Sequence, residues 1–128
     1  MNGIADYLVD TNILIYYLNG DETVIDWIQE HKNNISISII ASLEVLSYPY
    51  TIEEDIIVRR FLNAFHLFEL DQVVFEKTIQ LRRDYKIKLP DAIIAATAKA
   101  YNLTLVTRNI PDFSKIKIEI FDPFNSTD

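Results

Sequence analysis

Leu89-Pro90-Asp91-Ala92-Ile93-Ile94-Ala95-Ala96-Thr97-Ala98 reads as the opening of a buried helix with one carboxylate at its mouth. Proline suits the first helical position, where its missing N–H costs no hydrogen bond. Asp91 there faces the positive end of the helix dipole, which favours its ionised form. Ala95, Ala96 and Ala98 let neighbouring elements approach closely. Taken alone, the stretch fits an ordinary core helix with an acidic start equally well. What surrounds it decides between the two.

The 128 residues are expected to form one domain, 1–128, long enough to bury a substantial core. Hydrophobic content of 49% with only two Gly and four Pro argues for a packed chain and against disorder. No apolar run is long enough for a membrane span. The start, Met1-Asn2-Gly3-Ile4-Ala5-Asp6, lacks the basic block and apolar stretch of a secretory signal. With no cysteine, neither a disulfide framework nor a thiolate zinc site is available. A cytoplasmic protein is expected.

The net charge of −7 argues at first against a nucleic-acid partner, but it is unevenly spread. Residues 1–58 hold ten acids and one base, Lys32, whereas residues 59–128 hold nine acids and eleven bases. An acidic half beside a weakly basic half suits a metal-dependent site near a basic rim, or an acidic face awaiting a basic partner. Ordinary solvated surface charge accounts for much of it too.

Tyr7-Leu8-Val9 reads as a short buried strand ending in Asp10-Thr11-Asn12, followed by a helix over Ile13–Leu18 and the stop signal Asn19-Gly20. Asp10 is either a helix cap or, at the carboxyl end of a first parallel strand, a site residue. An amphipathic helix follows over Asp21–Asn33, with His31 as a favourable charge at its end. Ile35-Ser36-Ile37-Ser38 alternates like a strand, and Ile39–Tyr48 is helical until Pro49 ends it. Glu44 lies inside that apolar helix, on an exposed edge or pointing at a cation. Thr51–Phe65 is a further helix with acids in its first turn, and His66 after it is assigned to the surface or core edge. Leu67–Leu70 reads as a strand, and Asp71–Tyr85 as a helix with an Asp cap that sends Val74, Ile79 and Leu81 inward. Arg82, Arg83, Lys86 and Lys88 form a basic cluster directly before Asp91, either complementing a helix end or contacting phosphates. After the Asp91 helix, Asn102 suits a cap, Leu103–Thr107 a strand, 108–113 a loop and Lys117–Phe121 a last strand, with a frayed tail from Asn125.

This order implies an α/β sandwich around a mostly parallel sheet of about five strands. Right-handed crossovers bring Asp10, Glu44, Asp91 and the Asn109–Asp112 loop to the carboxyl edge of that sheet. Several carboxylates share a small space only when cations compensate them. Oxygen ligands without supporting His or Cys point to Mg²⁺ or Mn²⁺. Phosphodiester hydrolysis by metal-activated water is the chemistry such a site favours.

The residues also resemble a family, the PIN domain, and within it the small VapC-type ribonuclease toxins. The resemblance rests on Leu8-Val9-Asp10-Thr11-Asn12-Ile13-Leu14, on Ser38 followed by Glu44, on Ile87–Ala98, and on Leu105-Val106-Thr107-Arg108-Asn109-Ile110-Pro111-Asp112-Phe113. It implies a PIN-like three-layer sandwich whose acidic pocket holds one or two Mg²⁺ or Mn²⁺ ions. It also implies endonucleolytic cleavage of RNA, a cognate antitoxin whose segment occupies the active-site groove, and a homodimer. Asp10, Glu44 and Asp91 match the first three acids of the family. At the fourth position many relatives carry an acid where Asn109 stands, and others where Asp112 stands. Asp112 is taken as the ligand, with Asn109 as a neutral oxygen or hydrogen-bond donor. Thr11 and Asn12 match a polar block that supports the ligands. Ala41 departs from the hydroxyl that relatives often carry three residues before the glutamate.

In the expected mechanism Asp10 and Asp91 hold the main ion, and Glu44 and Asp112 complete its shell or a weaker second site. Neither His31 nor His66 is placed to act as a base. Arg108, Lys88 and Lys86 are candidates to steer the RNA backbone. A phosphotransferase using Asp10 as nucleophile fits less well, because Asn12 stands where a second Asp belongs. A PIN-like module that binds RNA or a partner without cutting is the remaining alternative.

Overall fold

The strand Tyr7–Val9 (β1) lies at the middle of a sheet in the computed structural model, which describes residues 6–125. Four more strands join it: Ile35–Ser38 (β2), His66–Phe68 (β3), Thr104–Val106 (β4) and Ile120–Phe121 (β5). Their spatial order is β3-β2-β1-β4-β5, and every pairing is parallel. Leu8 pairs in register with Leu105, and Val9 with Val106. Because side chains alternate across a strand, Leu8 and Leu105 enter the core on one face of the sheet. Val9 and Val106 enter the core on the other. This double burial explains why β1 and β4 read as continuous apolar runs.

Each face is covered by helices. Thr11–Leu18 (α1), Glu22–His31 (α2) and Ile52–Leu62 (α4) bury Ile13, Leu14, Val24, Ile28, Val58 and Leu62 in one layer. Ile39–Leu46 (α3) joins them through Ala41 and Val45. Gln72–Asp84 (α5) and Leu89–Ala100 (α6) form the opposite layer, which Phe113 completes from a short helix, Ile110–Phe113 (α7). The result is the expected three-layer sandwich.

Local chemistry sets the helix ends. Asp21 and Asp71 accept hydrogen bonds from the N–H groups of Val24 and Val74 at 3.1 and 2.9 Å. Thr51 and Glu54 form a reciprocal capping box at the start of α4. Gly20, at φ +87°, turns the chain after α1. Asn102, at φ 55°, ends α6, with the Leu103 N–H returning to the Ala98 carbonyl.

Several boundaries differ from the sequence expectation. The helix expected to reach Tyr48 stops at Leu46, where the Ser47 hydroxyl donates to the Leu43 carbonyl and Pro49 restricts the next turn. β3 begins at His66 and closes before Glu69, because the Asp71 N–H turns back to the Glu69 carbonyl. β5 is confined to Ile120–Phe121. Residues 108–113 contain α7, which Pro111 helps to start. On α5 it is Thr78, one turn after Val74, that is buried, while Ile79 is half-buried. Thr78 is tolerated there because its hydroxyl donates to the Val74 carbonyl. The readings of residues 1–5 and 126–128 fall outside the described residues. Among the described residues, no helix is long and apolar enough to cross a membrane.

Candidate active site

Asp10 leaves the end of β1 and caps α1, its Oδ1 accepting the Thr11 N–H at 2.8 Å. The helix-cap reading of this residue holds, and the cap uses only one carboxylate oxygen. The other, Oδ2, accepts a 2.7 Å hydrogen bond from the hydroxyl of Thr107, which follows β4. Only 5% of Asp10 is exposed. Burial, reinforced by the negative charges of Asp91 and Glu44, lifts its carboxyl from 3.8 to about 6 despite the two hydrogen bonds. A buried carboxylate raised in this way by burial and by its acidic neighbours is one that a bound cation would return to its ionised form.

Glu44 is exposed on α3, but it does not simply face solvent. Thr11 Oγ1 donates to Glu44 Oε1 at 2.6 Å, so the side chain reaches back over the end of β1. Asp91 sits in the first turn of α6, half-buried. Its carboxyl is raised above the ordinary range, first by burial and then by Asp112 and Glu44, with Lys88 opposing the shift. Burial and the two acidic neighbours therefore work against the favourable helix end at Asp91. Asp112 lies on α7, where Asn109 Nδ2 donates to its Oδ2 at 2.8 Å. The structure thus brings Asp10, Glu44, Asp91 and Asp112 within electrostatic reach at one edge of the sheet.

Thr107 joins these groups, and sequence reasoning did not single it out. It is fully buried and sends its one proton to Asp10, while its oxygen accepts the Asn109 N–H at 2.9 Å and, at 3.5 Å, Asn12 Nδ2. The available signal was a hydroxyl directly after the buried pair Leu105-Val106, at the carboxyl end of a strand.

The remaining candidates divide. Lys88 precedes α6 and lies near enough to act on Asp91. Lys86 is exposed, and no hydrogen bond or ion pair of its side chain occurs among the described residues. The Arg108 guanidinium is held over the Phe124 ring at 4.1 Å and donates to the Tyr16 hydroxyl at 3.3 Å. His31 stacks on Trp27, its Nδ1 2.8 Å from the Trp27 carbonyl, and His66 is exposed on the edge strand β3. Neither histidine is in the acidic cluster.

The donor set suits a hard divalent cation. It consists of carboxylate, hydroxyl and amide oxygens, and Asn12 Oδ1 is buried with no hydrogen-bond partner. Among the described residues no three acidic or histidine side chains close into a cage able to hold an ion. Mg²⁺ does not require one, because it retains several waters and is bound directly by one or two carboxylates. Asp10 and Asp91, close enough to act on one another's charge, are the two most buried carboxylates of the cluster.

A five-stranded parallel sheet between helices, with four acids at its carboxyl edge, defines an α/β protein with an acidic site. The chain belongs to the PIN domain family, which its sequence matches over residues 7–119. It is 30% identical over 120 residues to Ribonuclease VapC10 of Mycobacterium tuberculosis, covering 86% of this chain and 90% of that protein. A toxin–antitoxin complex from Klebsiella pneumoniae contains a chain with the same fold, at a TM-score of 0.83 and 35% identity, covering 92% of this chain and 98% of that one. VapBC2 from Rickettsia felis, bound to a DNA fragment from its promoter, superposes with a TM-score of 0.80 at 26% identity, over 93% and 98% of the two chains.

Proposed function

We propose that this chain is a metal-dependent endoribonuclease and the toxin of a toxin–antitoxin pair. The observation that carries the reading is the cluster of Asp10, Glu44, Asp91 and Asp112, in which burial and the neighbouring negative charges raise the carboxyls of Asp10 and Asp91. Similarity to a chain in a toxin–antitoxin complex and to a ribonuclease supports the same conclusion. Asp10 and Asp91 would hold Mg²⁺ or Mn²⁺, with Glu44 and Asp112 completing the surroundings directly or through water, at one or two positions. A divalent ion held there would supply an activated water and offset the negative charge that develops on the phosphoryl oxygens.

The protein's own groups prepare that site. Thr107 fixes the free oxygen of Asp10, Thr11 draws Glu44 inward, and Asn109 holds Asp112. Lys88 offers a positive charge to an approaching RNA backbone, with Lys86 and Arg108 on the same stretch of chain as the site residues.

An antitoxin segment would lie in the groove of about 840 Å³ between α1, α3 and α4. Ile15, Tyr48 and Ile57 make that groove apolar, and Glu44 belongs to both groove and site. An amphipathic segment carrying a basic residue matches both features.

The decisive experiment compares wild type with Asp91→Asn on structured RNA in Mg²⁺, Mn²⁺ or EDTA, with both proteins shown to be folded. Metal-dependent cleavage by wild type alone is expected. Equal cleavage by both assigns the activity to a contaminant. A folded wild type that neither cuts nor binds Mn²⁺ is a binding module.

A further inference from the structure

We propose that Arg108 is a pre-set phosphate-binding arm at the rim of the acidic site and that the C-terminal turn carrying Phe124 is the element that sets it. The proposal rests on the ribonuclease reading and adds to it the residue that grips the RNA backbone and the part of the chain that positions that residue.

Arg108 is anchored between two residues that bond into the cluster. Thr107 donates to Asp10, and Asn109 donates to Asp112. From that position the side chain is caught by two aromatic rings. Its guanidinium carbon lies 4.1 Å from the Phe124 centroid and 5.6 Å from that of Tyr16, and the two rings pack against each other at 5.0 Å. One donor, on Nη1, goes to the Tyr16 hydroxyl at 3.3 Å. Among the described residues the Nε and Nη2 donors have no partner, and the single ion pair is Arg59 with Asp55. Among the described residues no carboxylate occupies the two-donor edge of this exposed arginine, although the chain carries a net charge of −7. That edge is the geometry that meets two phosphate oxygens at once.

The placement of Phe124 is built in, not incidental. β5 pairs with β4, and the Thr107 N–H donates to the Phe121 carbonyl at 3.0 Å. Asp122 Oδ1 then accepts the Phe124 N–H at 2.9 Å, curling Pro123–Asn125 into a turn beside α1. Stacking on the rings removes most of the freedom of a long side chain before RNA arrives, so that little ordering remains at binding.

The test measures binding of fluorescein-labelled oligo(U) by anisotropy across a KCl series, in an Asp91→Asn background so that cleavage does not interfere. Arg108→Gln is expected to weaken binding about tenfold and to reduce the salt slope by about 0.7, one phosphate contact on a single strand. Arg108→Lys and Phe124→Leu are expected to keep the slope and lose affinity severalfold, because charge remains but the fixed fork does not. Lys99→Gln, near the opposite end of α6, is the control and should change neither. Unchanged affinity and slope in Arg108→Gln, with only a lower Tm, would overturn the proposal and leave the bracket as a lock on the C-terminal turn. Cleavage of RNA by the otherwise unmodified chain, run in parallel with and without EDTA, separates the two readings. A chain that cuts while Arg108→Gln binds normally defeats the arm alone, and a chain that never cuts defeats the ribonuclease reading.

Discussion

Asp10 concentrates the energetic tension of the site. Its carboxyl titrates at about 6 in the folded chain against 3.8 ordinarily. Between those values the folded state binds a proton that the unfolded state does not, so this group's contribution to stability is fully present below 3.8 and is lost as pH rises through 6. The difference corresponds to about 3 kcal/mol at 1.36 kcal/mol per pH unit. In EDTA, the stability of wild type relative to Asp10→Asn should therefore fall by roughly that amount between pH 4 and pH 7.5. Urea denaturation at several pH values measures it, and a difference that stays level with pH refutes the assignment. Thr107 makes a second, separable contribution. Thr107→Val keeps the shape but strips a donor from Asp10 and an acceptor from the Asn109 N–H, both in a buried setting. A loss of about 1–3 kcal/mol is expected, and Thr107→Ser should recover most of it.

Helices α4 and α6 show what local sequence controls and where its control ends. The reciprocal Thr51 and Glu54 contacts are written into four adjacent residues, and Thr51→Ala should cost about 1 kcal/mol. α6 is specified differently, by small side chains at positions that the sheet and α5 press upon. Ala95 is fully buried, so Ala95→Leu should destabilise by roughly 1–3 kcal/mol. Lys99→Leu, on the exposed side of the same helix, should stay within about 0.5 kcal/mol, and equal effects at the two positions would show that α6 is not packed as described. The Thr51–Glu54 box was not singled out, though it is just as local. The small residues of α6 and the acidic first turn of α4 were legible because periodicity, residue size and helix-end charge act within a few residues of chain. The same is true of the sheet strands, whose apolar runs follow from burial on both faces. The bracket around Arg108 was not legible, because Tyr16 and Phe124 lie far away in sequence and meet only once the sheet has formed. The link from Thr107 to Asp10 is equally non-local, spanning 97 positions. α7 escaped notice for another reason, since four residues are too few to show a helical period.

At the scale of the molecule, the acidic cluster joins parts of the chain that are otherwise separate. Asp10 follows β1, Glu44 rides on α3, Asp91 opens α6 and Asp112 belongs to α7. No unfolded chain presents these four together, so a cation that binds among them favours the folded state over the unfolded one. At a hundredfold excess over its dissociation constant, Mn²⁺ should stabilise wild type by about 2.7 kcal/mol, which raises the Tm of a chain this size by roughly 5–15 °C. Asp91→Asn should lose most of that shift, and EDTA should reverse what remains. The acidic first turn of α4, with Glu53, Glu54 and Asp55, offers a competing explanation, because exposed carboxylates also attract divalent ions weakly. The two sources differ in their response to salt and to mutation. Attraction to exposed acids is screened by moderate KCl and is indifferent to Asp91, whereas binding at the buried Asp10 persists and depends on it. A thermal shift that is equal in wild type and Asp91→Asn, or that disappears at moderate KCl, would place the ion on the surface of α4 and leave the cluster at the sheet edge without the role assigned to it.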